Sequence, residues 1–215
     1  MTQMSISNNS LFISFEGIDG CGKSTQVKML MNRFESDGID SLLVREPGGT
    51  QISEEIREVL LKNRNENMAE RTEALLMTAS RAQLTHDVII PSLDSGLIVI
   101  ADRFKDSTLA YQGGGRGLDI NYLAQLNDFA TFELDPDITF FIDVTADEGH
   151  RRLNSKNHDR IEGAGKIFQE KVREQYLKLA RIYSDRFIVL DGEKTAEEIH
   201  QIIWLEINRI QKYET

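Results

Sequence analysis

Five short hydrophobic runs are spread along the chain, separated by segments with a different pattern. The runs are almost continuously apolar, which is typical of strands buried on both faces of a sheet. They predict five strands, at Leu11–Glu16, Ser41–Arg45, Leu97–Asp102, Ile138–Val144 and Phe187–Leu190.

The segments between these runs carry apolar residues three and four positions apart, which predicts amphipathic helices. The apolar residues of two such faces are Val27, Leu30, Met31 and Phe34, and Ile167, Val172, Tyr176, Leu179 and Tyr183. We also predict a long helix from about Met68 that ends at Pro91, and a last helix from Ala196 to Ile210. Strands that alternate with helices predict parallel βαβ units, with helices on both faces of the sheet.

The length and composition fit a single α/β domain. The chain has 215 residues, of which 40% are hydrophobic, and no apolar run approaches the roughly 20 residues needed to cross a membrane. Residues 1–10 are polar and contain no Lys or Arg, so we expect a flexible tail rather than a secretion signal, followed by one domain over residues 11–215. The single cysteine, Cys21, fits a reducing cytoplasm.

The formal net charge is −10, which argues against a general nucleic-acid surface. In so acidic a chain, a site for any anionic ligand must concentrate basic residues in one place, so the positions of individual arginines are informative.

The strongest local signal is Gly17–Ser24, which matches G-x-x-x-x-G-K-S between a predicted strand and a predicted helix. Such a loop wraps its N–H groups round phosphates, while Lys23 supplies charge and Ser24 offers a hydroxyl to Mg²⁺. The predicted phosphate-binding residues are Gly17, Ile18, Asp19, Gly20, Cys21, Gly22, Lys23, Ser24 and Thr25. Cys21 is either a small residue that fills the loop or a reactive thiol at a helix N-terminus.

The third predicted strand ends in Asp102, the usual position of a carboxylate that binds Mg²⁺, directly or through water, beside a P-loop. Arg103 follows at once and places a cation near the predicted phosphates. A GTPase would need an Asn-Lys-x-Asp motif, and the sequence contains no Asn-Lys pair. A small domain with arginines at strand ends favours a kinase that acts on a small phosphorylated acceptor.

Longer segments indicate the kind of kinase more specifically, because the chain resembles the thymidylate kinases over nearly its whole length from Leu11. The matching segments are 15–17, 45–50 (Arg-Glu-Pro-Gly-Gly-Thr), 81–84, 102–112 (Asp-Arg…Ser…Ala-Tyr-Gln), 113–117 and 159–162. The resemblance implies a three-layer P-loop NTPase fold with a five-stranded parallel sheet and a short lid at about 150–163. It also implies ATP and dTMP as substrates, Mg²⁺ as cofactor, a cis Glu46–Pro47 bond and a homodimer.

The resemblance also implies residue roles. Asp19 would hold the sugar 3′-hydroxyl, while Arg45 and Arg103 would hold the acceptor phosphate. Arg81 would reach a thymine carbonyl and Tyr111 would pack on the sugar. The full dTMP set is Asp19, Arg45, Pro47, Met77, Arg81, Arg103, Ser107, Tyr111 and Gln112.

The chain departs from the family pattern at two positions. Met77 stands where the family has a Phe that stacks on thymine, and Met77 is also readily interpreted as core filler. The P-loop carries no arginine, so the catalytic arginine should come from the lid. Arg160 is the first candidate and Arg152 the second, beside Lys23, Arg103 and Asp19 as the other catalytic residues.

Two other functions stay open on the sequence alone. One is a kinase for another nucleotide or nucleoside, which the 102–112 segment disfavours. The other is an inactive nucleotide-binding module, which the retained Lys23, Ser24, Arg103 and Arg160 disfavour. An apolar set could line a dimer interface or pack inward: Leu118, Ile120, Leu123, Leu126 and Phe129.

Overall fold

The computed structural model describes residues 10–62, 67–153, 160–161 and 164–213, with side chains to residue 210. It contains a five-stranded sheet in the order β2-β3-β1-β4-β5, in which every pair of neighbours is parallel. The strands are β1 (Leu11–Glu16), β2 (Ser41–Arg45), β3 (Ile98–Asp102), β4 (Ile138–Asp143) and β5 (Phe187–Asp191). All five predicted strands are confirmed, with ends shifted by no more than one residue.

Helices connect the strands. The α-helices are α1 (Lys23–Asp37), α2 (Gln51–Leu61), α3 (Glu70–Leu84), α4 (Ile90–Asp94), α5 (Lys105–Thr108), α6 (Ile120–Thr131), α7 (Ala146–Arg152), α8 (Lys166–Ile182) and α9 (Ala196–Tyr213). Two π-helical segments, Thr85–Ile89 and Leu109–Gly115, continue α3 and α5. No described helix is long and apolar enough to cross a membrane.

The sheet separates two hydrophobic clusters, because successive side chains of a strand point to opposite faces. On β1, Ile13 and Phe15 join the larger cluster with α1, α8 and α9, whereas Phe12 joins a smaller one with α3 and α4. On β3, Ile100 and Val99 divide in the same way. The expected three-layer architecture is therefore confirmed, and all the strands end at one common edge.

Two helix predictions were wrong in detail. The long helix does not end at Pro91 but continues through a π-helical segment to Asp94. In the wider π turn, the Ile90 N–H donates to the Thr85 carbonyl five residues back. Pro91 follows this turn directly and lies in the first turn of α4, where proline is tolerated. On α8, Ile167 is 78% exposed and the neighbouring Phe168 is buried instead.

The expected tail and lid fall partly outside the described residues. Residues 1–9 of the tail, and residues 154–159 and 162–163 of the lid at 150–163, belong to that part. The described part of the expected lid segment comprises the end of α7 and the residues around Arg160.

Candidate active site

A cavity of about 600 Å³ lies at the carboxyl ends of the strands, where ligands of open α/β sheets bind. Most predicted site residues line it: Asp19, Gly20, Cys21, Gly22, Lys23, Ser24, Thr25, Arg45, Pro47, Met77, Arg81, Asp102, Arg103, Ser107, Tyr111, Gln112 and Arg152. Among the described residues that we predicted for the site, Gly17, Ile18 and Arg160 do not line the cavity.

The P-loop joins β1 to α1, and Lys23 is the first residue of that helix. Its Nζ donates to the carbonyl oxygens of Gly17 at 3.0 Å and Ile18 at 3.2 Å, so the ammonium group lies over the loop. Gly17 has φ 144°, and an added Cβ would come within 2.7 Å of the Ile142 carbonyl oxygen. Glycine is required there because both the backbone conformation and the close approach of β4 exclude a side chain.

Arg103 is held in a strained backbone conformation directly after β3. Its φ is 76°, a value that non-glycine residues rarely adopt. Residues with such strained backbones cluster at functional sites. Its Nη1 donates to the Gly17 carbonyl at 2.9 Å and its Nη2 to Oδ1 of Asp19 at 2.5 Å. The guanidinium group therefore lies beside the phosphate-binding loop with a fixed direction.

Asp19 connects Arg103 to Tyr111, the residue predicted to pack on the sugar. Burial alone would raise the pKa of Asp19, but the charges of Arg103 and Lys23 hold this pKa below its ordinary value. Its second oxygen, Oδ2, accepts weaker bonds from Tyr111 and Gln169, both at 3.4 Å. The Arg103 guanidinium lies 4.9 Å from the centre of the Tyr111 ring, within cation–π range. An ionised Asp19 can accept a bond from a ligand hydroxyl.

Glu16, at the end of β1, stabilises the segment that follows Arg103. It was not identified as a site residue from the sequence. Its carboxylate accepts bonds from the Phe104 N–H at 2.8 Å, the Ser107 hydroxyl at 2.6 Å and the Tyr176 hydroxyl at 2.6 Å. Burial raises the pKa of Glu16 above its usual value, and the Asp106 charge adds to the effect. The bond to the Phe104 N–H fixes the residue that follows Arg103.

Arg81 is the largest of the fully buried side chains. Its Nε donates to Glu46 at 2.8 Å, its Nη1 to Thr108 at 2.6 Å and Asn127 at 2.8 Å, and its Nη2 to the Phe104 carbonyl at 3.0 Å. Nη2 also lies 2.6 Å from Oε2 of Glu46, so four of the five N–H groups donate hydrogen bonds within the protein and the Glu46 carboxylate balances the charge. Most of the donor capacity of Arg81 is used within the protein, so Arg81 serves first to build the cavity wall.

Met77 lies one turn before Arg81 on α3. It lines the cavity and also packs against the larger hydrophobic cluster. The position of Met77 is therefore compatible with both interpretations: the side chain can cover a base in the cavity, and it also fills part of the core.

Glu46 pairs with Arg81 at the cavity wall. Burial raises the pKa of Glu46 to about 7, although the Arg81 charge opposes this. Its Oε1 atom is buried and has no hydrogen-bond partner among the described residues. The predicted cis Glu46–Pro47 bond is confirmed.

Two arginines approach the loop that follows β2. Arg45 donates to the Pro47 carbonyl at 3.3 Å and pairs with Glu54 at 2.9 Å. Arg57 on α2 donates to the same carbonyl at 2.8 Å and also lines the cavity. Arg57 was not identifiable from the sequence, because a lone arginine on an amphipathic helix carries no local signal of binding.

The two candidate lid arginines lie in different surroundings. Arg152, at the end of α7, lines the cavity and bonds to Glu148 at 2.5 Å and the Gly192 carbonyl at 3.0 Å. Arg160 instead bonds to Glu73 at 2.6 Å and the Leu60 carbonyl at 2.8 Å. Contacts outside the cavity hold Nε and Nη1 of Arg160, which favours Arg152 over the expected Arg160, and which of the two acts in catalysis stays a prediction.

The oxygen donors for a cation are Ser24, exposed in the first turn of α1, and Asp102 at the end of β3, and both line the cavity. The described residues contain no group of three or more His, Cys, Asp or Glu side chains that could hold a metal. One hydroxyl and one carboxylate suit Mg²⁺, which keeps several waters and is bound largely through substrate phosphates.

Comparison with known proteins agrees with the geometry. The family model described as Thymidylate kinase matches residues 15–203. A thymidylate kinase from Fervidobacterium nodosum is 51% identical over 193 residues, which cover 90% of this chain and 96% of the relative. Similar proteins with the same name come from Caldanaerobacter subterraneus (45% identity, 94% of this chain and 95% of the relative) and Chlorobium phaeobacteroides (43%, 94% and 96%).

Proposed function

Since this chain belongs to the thymidylate kinase family, we propose that it transfers the γ-phosphoryl group of ATP to dTMP, giving dTDP and ADP. The observation that carries this proposal is the placement of Arg103. Its guanidinium lies beside both the P-loop carbonyl of Gly17 and the carboxylate of Asp19. A cation at that position can contact a donor phosphate and an acceptor phosphate at once.

The acceptor is a phosphate oxygen, which is already a nucleophile, so the chemistry needs no strong general base. The protein instead positions the two nucleotides and neutralises charge as the phosphoryl group transfers. Lys23 and Arg103 supply positive charge on the P-loop side. Arg152 supplies it from the end of α7, where it lines the same cavity.

We assign dTMP to the part of the cavity lined by residues from β2, α3 and the segment after β3. Arg45 and Arg103 hold its phosphate, Asp19 its 3′-hydroxyl, and Tyr111 lies against its sugar. Met77, Ser107 and Gln112 surround the base, with Pro47 and Arg81 in the wall. The ATP phosphates lie along residues 17–25.

Ser24 and Asp102 are the residues that would hold Mg²⁺, Asp102 directly or through water. When bound with ATP, the ion would neutralise charge on the phosphates.

We further propose a cytoplasmic homodimer. The apolar set between Leu118 and Phe129 divides in two, because Leu123 is buried while Phe129 is 84% exposed. Exposed Tyr122 on the same helix and Leu75 on α3 add apolar surface. Large exposed apolar side chains on neighbouring helices favour association with a second copy.

A turnover assay tests the proposed reaction. The protein is given ATP, Mg²⁺ and a panel of nucleoside monophosphates, and formation of each diphosphate is measured. We expect dTMP to be the preferred acceptor, and Lys23→Ala to lower its turnover at least ~10²-fold while the protein stays folded. Preference for another acceptor would replace the substrate assignment, and nucleotide binding without any transfer would favour the inactive module.

A further inference from the structure

Glu73 on α3 is a buried carboxylate that the phosphoryl-transfer chemistry does not use. It is 1% exposed and does not line the cavity, within the residues that the structure describes. Its oxygens accept bonds from Nε2 of Gln112 at 2.9 Å, from Nε and Nη2 of Arg116 at 3.1 Å each, and from Nη1 of Arg160 at 2.6 Å. Two other segments, the one from Gln112 to Arg116 and the one that contains Arg160, therefore meet at this side chain of α3.

The two arginines determine the charge of this carboxyl group. Burial alone would raise the pKa of Glu73, but hydrogen bonds from Arg116 and Gln112, the Arg116 charge and a hydrogen bond from Arg160 lower it below its ordinary value. Glu73 is thus ionised at neutral pH, and an ionised carboxylate is only an acceptor. Arg116 is itself held in place over the Phe168 ring, at 4.4 Å.

This fixes the orientation of the Gln112 side-chain amide. An amide can present either its oxygen or its NH₂ group to a neighbour, and the two differ only by a flip. Because Glu73 accepts only, Gln112 must turn its NH₂ group toward it. In the described part of the chain Oε1 of Gln112 has no partner, and Gln112 lines the cavity. A ligand therefore meets an acceptor there.

Pyrimidine bases differ in what they offer to such an acceptor. Thymine has an imide N–H between two carbonyls, whereas cytosine has a ring nitrogen that accepts at the same position. We propose that Glu73 is a positioning residue for base specificity, which holds the Gln112 amide so that its oxygen accepts the thymine imide N–H. This inference rests on the proposed use of dTMP and adds the origin of the discrimination against cytosine-type bases.

The experiment compares dTMP with 5-methyl-dCMP, which keeps the methyl group and changes only the hydrogen-bonding edge of the base. In Glu73→Gln the amide of residue 112 can flip, since its partner then offers both a donor and an acceptor. We expect the ratio of kcat/KM for dTMP to that for 5-methyl-dCMP to fall about tenfold, by analogy with other specific base contacts. The fall should lie in KM for dTMP, because a base contact is felt equally in ground and transition states.

A second pair of variants shows whether Glu73 acts through Gln112. Gln112→Leu removes the acceptor and should lower the same ratio. Adding Glu73→Gln to Gln112→Leu should then leave the ratio unchanged, since coupled residues are not additive. If the two substitutions lower the ratio independently, Glu73 does not act through Gln112 and the inference is overturned.

Two controls separate positioning from stability. Asp143→Asn removes another arginine-paired carboxylate, bound to Arg173 outside the cavity, and should leave the ratio unchanged. If Glu73→Gln does not fold, Glu73→Asp keeps the charge for Arg116 and Arg160 while withdrawing the oxygens from Gln112, and should also lower the ratio. An unchanged ratio in a folded Glu73 variant overturns the inference but leaves dTMP phosphorylation intact. A wild-type protein that does not phosphorylate dTMP overturns the proposed function and this inference with it.

Discussion

Nη2 of Arg103 lies 2.5 Å from Oδ1 of Asp19, although 84 residues separate the two in the chain. The contact joins the end of β3 to the P-loop after β1. It fixes the direction of a guanidinium group whose own backbone is strained, with φ 76°. The Glu16 carboxylate supports it by bonding to the next residue, Phe104. Strain of this kind persists only where the surroundings hold it.

The first prediction concerns the planar guanidinium group of Arg103. Arg103→Lys keeps the charge but cannot bond to the Gly17 carbonyl and Asp19 as a planar pair of donors. We expect turnover to fall ~10²-fold, by analogy with removal of one charge-stabilising donor, with a smaller change in ATP affinity. Steady-state kinetics and ATP titration measure the two effects. Turnover close to that of the wild type would show that charge alone suffices at this position.

A second prediction concerns the lid arginines. Arg152→Ala should lower turnover ~10²-fold with little loss of ATP affinity, because its charge is needed most as the phosphoryl group transfers. Arg151→Ala is the matched control, since Arg151 pairs with the same Glu148 but is 74% exposed and, among described residues, lies outside the cavity lining. Arg160→Ala should instead reduce stability, because it leaves Glu73 with one partner fewer.

Equal losses of ATP affinity and turnover in Arg152→Ala would make Arg152 a binding residue only. A large turnover defect in Arg160→Ala, in a variant as stable as the wild type, would restore Arg160 as the first candidate.

The raised pKa of Glu46 predicts that the stability of the folded protein depends on pH. Its folded pKa of about 7 exceeds the ordinary 4.5, so the folded state binds the proton more tightly than the unfolded state. The stabilisation linked to this proton is complete below pH 4.5 and is lost as the pH rises toward 7. Glu46→Gln lacks this dependence. Between pH 5 and pH 8 the wild type should therefore lose about 2–3 kcal/mol relative to the variant.

Denaturant unfolding of both proteins at the two pH values measures this difference. A difference in unfolding free energy that does not change with pH would mean that Arg81 keeps Glu46 ionised throughout.

Met77 supports a prediction about the base. Met77→Phe would place a rigid ring where a flexible thioether now lines the cavity. Aromatic stacking adds roughly 0.5–1.5 kcal/mol, so dTMP should bind about 2- to 10-fold more tightly with turnover little changed. Calorimetric titration with dTMP and a parallel activity assay measure the two quantities. Unchanged affinity would identify Met77 as a core residue, and reduced affinity would mean that the pocket has no room for the ring.

The exposed face of α6 supports a prediction about assembly. Phe129→Glu places a charge in the proposed interface and should shift the protein toward monomer. Ile167→Glu is a suitable control, because Ile167 is similarly exposed but lies on α8. Sedimentation velocity over a concentration series distinguishes the two species. A wild-type protein that is monomeric throughout would remove the homodimer proposal.

Much of the fold was predictable because it depends on local patterns. The hydrophobic runs located all five strands within one residue, since strands buried on both faces need continuous apolar sequence. The helix through Pro91 was not predictable in the same way. Whether proline ends a helix depends on the turn before it, and the π-helical segment Thr85–Ile89 forms within a longer packed helix.

The sequence by itself also determined the P-loop, the family and most of the residues that line the cavity, because these depend on motifs within short segments. Only the tertiary structure decided which charges pair. Glu73 binds partners 39, 43 and 87 residues away, and Arg160 faces Glu73 while Arg152 lines the cavity. The sequence does not show which partner a charged side chain pairs with. Distance and burial decide whether it binds substrate or supports a residue that does, and both arise only when distant segments pack together.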